Sequence, residues 1–149
     1  MESPVIGARE RRTELQRKAR AIGIDEAYVS RLVDTFYQSV RTDPRLGPIF
    51  DDVIQNRWDH HLPRMKDFWA SVALHAGTYS GQPVPAHMKL TRVEQSDFQI
   101  WLRLFREALE RTAPTPEAID YFMERAQRIA ESLQLAMFGL PGLPRRRER

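Results

Sequence analysis

Apolar residues recur at spacings of three and four along most of this chain, and nowhere do they alternate convincingly at period two. That regularity restricts the fold to packed amphipathic helices, because residues i, i+3 and i+4 share one face of a helix whereas a half-buried strand needs alternation. From about Asp25 to Arg41 the stripe is Val29, Leu32, Val33, Phe36, Tyr37 and Val40, with Asp25 as the expected N-cap. This helix must stop before Asp43-Pro44, since a residue preceding proline is pushed out of the α region. Leu46-Gly47-Pro48 is expected to prolong an irregular turn before Ile49 and Phe50 re-enter the core. A second stripe runs Trp58, His61, Leu62, Met65, Phe68, Trp69 and Val72, carrying His61 inward and leaving His60 outside. Pro63 fits that stripe only if the helix begins close by, with Asp59 as a candidate N-cap; otherwise it predicts a kink.

Gly77, Gly81, Pro83 and Pro85 end the second helix and build a loop, from which Pro85 opens a short turn with Val84, His87 and Leu90 on one face. Ser96 followed by Gln99 reads as a capping box for a helix buried through Phe98, Trp101, Leu102, Phe105 and Leu109. Thr115-Pro116-Glu117 starts another, whose stripe of Ile119, Phe122, Met123, Ala126, Ile129, Ala130, Leu133 and Met137 continues to Gly139. The chain has 149 residues, enough for one all-α domain. We expect it over residues 25–139, preceded by a charged and helical extension over 1–24 and followed by a flexible basic tail over 140–149.

The formal charge is +3, and the basic residues gather in ARERRTELQRKAR near the start and PRRRER at the finish. Such clusters contact nucleic acid or an acidic partner in some proteins and are solvated ends in more. The absence of cysteine excludes disulfides, thiolate zinc sites, cysteine nucleophiles and iron–sulfur clusters, so any metal must rest on His, Asp, Glu, Tyr or a cofactor. No stretch resembles a signal peptide or reaches the roughly 20 apolar residues of a membrane span, so the expected location is the cytoplasm.

His87 stands among apolar neighbours after a rigid loop, where taken alone a histidine satisfied by a backbone carbonyl is a more natural reading than a metal ligand. Tyr37, His61 and Trp101 shift that balance. Each lies mid-stripe on a different helix, and each has a polar tip that cannot be buried without a partner. Three such tips converging on one core point to a bound ligand that accepts hydrogen bonds. A zinc site of Asp59, His60 and His61 is disfavoured, because adjacent helical residues point about 100° apart. His75 suits an ordinary surface or hinge role.

The stretches FYQSVRTDPRLGPIF, WDHHLPRMKDFW, GTYSGQPVPAHMKL and FQIWLRLF, in that order, resemble the truncated haemoglobins, specifically the third group of these small bacterial globins. The resemblance covers roughly Val29 to Phe138. It implies a truncated globin fold, with helices packed two on two around haem b. It makes His87 the proximal iron ligand, and Tyr37, His61 and Trp101 the distal residues. Phe50 would pack on the haem, and Trp69 would be the large aromatic further along the helix of His61. Candidate walls of the slot are Phe36, Phe50, Met65, Phe68, Trp69, Phe98 and Leu102, with Phe50 and Phe68 the foremost contacts. Arg64 and Tyr79 are candidate partners of the haem propionates.

The implied function is reversible binding of oxygen, and of diatomics such as NO and CO, at five-coordinate haem iron. An NO dioxygenase or peroxidase-like reaction is compatible with the same polar distal side. Either would need a separate reductase, since the chain has no flavin or nicotinamide fingerprint. The rival reading is a cofactor-free helical module that contacts nucleic acid or an acidic partner through its basic termini. The chain departs from the family pattern at both ends and at Pro63, which bears on where His61 sits.

Overall fold

The computed structural model describes residues 7–75 and 92–139. Its helices are α1 (Ala8–Ala21), α2 (Glu26–Thr42), α3 (Leu46–Ile54), α4 (Trp58–Leu74), α5 (Asp97–Thr112) and α6 (Pro116–Phe138), and no strand occurs among the described residues. The expected charged helix before Asp25 is present as α1. None of these helices is long and apolar enough to cross a membrane.

Local chemistry sets the boundaries. The Asp25 carboxylate accepts the Tyr28 N–H at 2.8 Å and caps α2, as its sequence position predicts. Asp43 then turns the chain into α3, its carboxylate accepting the N–H groups of Arg45 and Leu46 at 2.9 and 2.8 Å. The irregular turn expected at Leu46-Gly47-Pro48 is therefore the start of a helix. Pro48 is tolerated in its first turn, where an N–H would have no intrahelical partner. Gly47 is required by proximity: a Cβ there would meet the Arg41 carbonyl oxygen at 2.5 Å. Without it α3 could not lie so close to the end of α2.

Helix α4 begins one residue ahead of Asp59, so Asp59 is not its cap. The Arg57 carbonyl accepts the N–H groups of His60 and His61 at 3.0 and 2.9 Å instead. Pro63 lies inside the helix, and its missing N–H withdraws the bond that the Asp59 carbonyl would otherwise receive. The capping box expected at Ser96 and Gln99 does not form either, because Ser96 is already in the α conformation. The first N–H groups of α5 reach the carbonyls of Glu94, Gln95 and Ser96 at 3.0–3.2 Å, leaving nothing for a side-chain cap to satisfy. Thr115 and Pro116 start α6 as expected, with Thr115 Oγ1 accepting the Ala118 N–H at 3.2 Å.

Helix α2 packs on α4 and α5, and α5 on α6, giving the expected two-on-two arrangement. An aromatic cluster fills its centre. Phe105 is fully buried, its ring 4.8 Å from Trp69, 5.1 Å from Phe36 and 6.3 Å from Phe122. Helix α1 lies against α4, and Ala19 and Ile24 are completely buried there. The Tyr121 hydroxyl donates to the Ala73 carbonyl at 2.6 Å, tying α6 to the last turn of α4.

Candidate functional site

An open apolar pocket lies where α3, α5 and α6 meet, lined by Leu46, Phe50, Val93, Asp97, Phe98, Trp101, Leu133 and Met137. An apolar wall with few polar groups suits a small-molecule or cofactor site. Of the expected site residues, Phe50, Phe98 and Trp101 stand in this wall. Tyr37 meets Phe50 edge-on with ring centroids 6.4 Å apart, and His61 meets Tyr37 at 5.6 Å. On the other side of Tyr37, Phe36 bridges to Trp101 at 5.0 and 5.5 Å. Three helices thus bring Tyr37, His61 and Trp101 into one aromatic assembly beside the cavity, with Tyr37 5% exposed and the Nε2 atom of His61 buried.

The remaining candidates are dispersed. Trp69 lies one layer behind the wall, stacked on Trp101 and Phe105. Phe36 and Leu102 are also core residues, and Met65 and Phe68 are half-buried along α4. Arg64 is exposed. His87 and Tyr79 lie outside the described residues. His60 faces solvent, and among the described residues no three His, Cys, Asp or Glu side chains come together to hold a metal ion. His75 closes α4 in the left-handed conformation at φ 53°, far from the role of His61. Burial, reinforced by the nearby Arg125 and Arg12 charges, pushes its imidazole pKa down.

Two features escaped the sequence reading. The first is Asp97, the sole buried charged residue among those described, 3% exposed and part of the cavity wall. Its carboxylate takes a two-pronged bond from Arg45, Nε to Oδ1 and a terminal nitrogen to Oδ2, both at 2.9 Å. The Glu94 N–H adds a third at 2.8 Å, and Arg45 also donates to the Arg92 carbonyl at 3.0 Å. The available signal was its position four residues before Trp101, which puts a carboxylate on the inward face of α5 and demands a cation. The second is the anchoring of Trp58, itself a residue of the expected stripe. Its indole N–H donates to Asp51 Oδ1 at 2.9 Å, and the Arg41 guanidinium lies 4.5 Å from its ring.

The Arg45 guanidinium holds the Asp97 carboxyl below its ordinary value of 3.8 against the opposing effect of burial, with help from the Glu94 N–H. A carboxyl whose folded pKa is depressed contributes stability above its unfolded pKa and loses it as pH falls through the folded value. The parent protein should therefore lose thermal stability progressively below about pH 4. An Asp97→Asn variant should melt lower at neutral pH and lose less on acidification through that window. Equal slopes of Tm against pH in the two proteins would show that the ion pair contributes nothing.

Comparison with known proteins agrees with this architecture. A family model described as a bacterial-like globin matches residues 20–135. The group 3 truncated hemoglobin ctb of Campylobacter jejuni is 35% identical over 122 residues, covering 80% of this chain and 95% of that protein. The crystal structure of a group III truncated hemoglobin from Campylobacter jejuni superposes with a TM-score of 0.73 at 36% identity, covering 77% of this chain and 92% of the other.

Proposed function

From the premise that the chain belongs to the bacterial-like globins, in the third group of truncated haemoglobins, we propose that it holds haem b in the described cavity and binds oxygen reversibly there. Membership of the family itself brings a haem cofactor and a diatomic gas ligand. The observation that carries the finer reading is the convergence of Tyr37, His61 and Trp101 beside one apolar cavity. The wall fits the group: Phe50, Phe98, Leu133 and Met137 offer an apolar surface to a flat macrocycle, and the one carboxylate in it is already neutralised by Arg45.

When bound, haem supplies an iron with a coordination position for a small ligand. By the family resemblance His87 would hold the iron; a neutral imidazole there would give one nitrogen lone pair to the metal and donate its other N–H to an acceptor that fixes its orientation. The Tyr37 hydroxyl, the Trp101 indole N–H and the His61 ring would be the hydrogen-bond donors to a ligand held beside them. The surrounding rings keep this space apolar, so each bond made there is stronger than in water. Phe50 and Phe36 hold Tyr37 from two sides, which limits the rotation of its hydroxyl. A histidine such as His61, half-buried with its Nε2 atom inside, can hold or move a proton beside a ligand, which favours nitric oxide oxidation to nitrate or peroxidase-like turnover, with electrons supplied by a separate reductase.

Adding hemin to the purified protein tests the reading: a shifted Soret band that gains oxygen features on reduction in air supports it, and an unshifted band overturns it. Tyr37→Phe and Trp101→Phe each remove a neutral hydrogen bond worth about 1 kcal/mol, so each should speed oxygen release about fivefold. Stopped-flow rates matching the parent in both variants would remove these residues from the ligand's surroundings. Rapid mixing of the oxygenated protein with nitric oxide, beside a peroxide turnover assay, separates storage from redox use.

A further inference from the structure

Pro63 leaves the first turn of α4 short of a backbone bond at Asp59, and that turn carries His61. The His60 and His61 N–H bonds to the Arg57 carbonyl hold the turn from within, and packing from outside the helix adds to them. Trp58 opens the turn and is 5% exposed, and its ring meets His61 at 5.6 Å and 90° and Tyr37 at 5.9 Å and 61°. Two further contacts immobilise it. Asp51 on α3 accepts the indole N–H at 2.9 Å, and Arg41 on α2 covers the ring at 4.5 Å. The short connection between α3 and α4 is held in turn by the Gln55 N–H on the Asp51 carbonyl at 2.8 Å and the Arg57 N–H on the Ile54 carbonyl at 3.0 Å.

We propose that Trp58, held by Asp51, is a positioning residue that sets the orientation of His61 and Tyr37 toward the ligand. The inference rests on the haem-based reading for its consequence, but the ring geometry stands apart from it. A tryptophan has few rotatable bonds, so one hydrogen bond to its nitrogen and one cation on its face leave it a single orientation. Its edge-on contacts then restrict the neighbouring imidazole and phenol. Asp51 lies on the exposed side of α3, so it acts on the pocket only through Trp58.

The test uses Asp51→Leu, which removes the acceptor from an exposed position, Asp51→Asn, which retains an amide oxygen for the indole N–H, and Trp58→Leu. The first readout is the C–O stretching band of the haem-loaded protein under carbon monoxide. One narrow band is expected in the parent and in Asp51→Asn, and a broadened or split band in Asp51→Leu and Trp58→Leu, with oxygen release accelerated several-fold in the latter two. The second readout is NMR of the protein as purified: contacts from the Trp58 ring to His61 and Tyr37, and slow exchange of the indole N–H, are expected in the parent and lost in Asp51→Leu. Persistence of those contacts and an unchanged band in Asp51→Leu would overturn the proposal, even if Trp58→Leu did not fold. Failure of the parent to take up haem would overturn the function instead, with the ring contacts still deciding whether Asp51 orients the cluster.

Discussion

A His87→Ala variant mixed with hemin is expected to give no shifted Soret band, and added imidazole should restore one. The family's ligand position falls on His87, and the other three histidines stand elsewhere. His60 faces solvent, His75 ends α4 beside Arg125, and His61 lies in the Tyr37 and Trp58 cluster. An iron held from the side of His61 would take up the space in which the donors converge, leaving them no ligand to serve. His61→Ala should therefore keep the shifted band while changing ligand release, the converse of His87→Ala. A band that persists unaltered in His87→Ala would mean that another side chain holds the iron.

Truncating Phe105 to alanine should cost about 3–5 kcal/mol of stability, measured by urea unfolding. The ring is fully buried and touches Phe36, Trp69, Trp101 and Phe122, so its removal leaves a cavity between α2, α4, α5 and α6. Aromatic pairs add about 0.5–1.5 kcal/mol beyond area burial, which places this site toward the upper end. Since small domains have only about 5–15 kcal/mol in hand, much of the folded state's margin rests on this one ring. The effect should extend to ligand binding, because Phe105 stacks within 3° of parallel on Trp101 and so fixes the direction of its indole. A loss below about 1 kcal/mol would mean that the surrounding rings close over the vacancy.

The helical stripes were legible because one buried face leaves a periodic trace. Val29 through Val40 on α2 and Phe98 through Leu109 on α5 follow that trace into the core. The inward turn of His61 rather than His60 was readable for the same reason. The ends of elements were harder. Ser96 and Asp59 each have a capping side chain, but whether an N–H needs one depends on the preceding backbone, which periodicity does not report. The Arg45 to Asp97 pair spans 52 positions and leaves no local signature. Trp58 was visible as an apolar residue; its link to Asp51 was not, because that contact depends on how α3 turns into α4.

The bonds at the two margins of residues 76–91 have an entropic meaning. On one side Tyr121 grips the carbonyl of Ala73, and on the other Arg45, just before α3, and Asp52 on α3 grip Asp97 and Arg92. The span between them contains His87, the expected iron ligand. Bringing the ends of a span together has an entropic cost that rises with the logarithm of its length. Here that cost is met by contacts of the helical body, so cofactor capture need not supply it. If His87 holds the iron, haem affinity is linked to these ion pairs, and Asp52→Asn, which breaks the exposed pair with Arg92, should lower it.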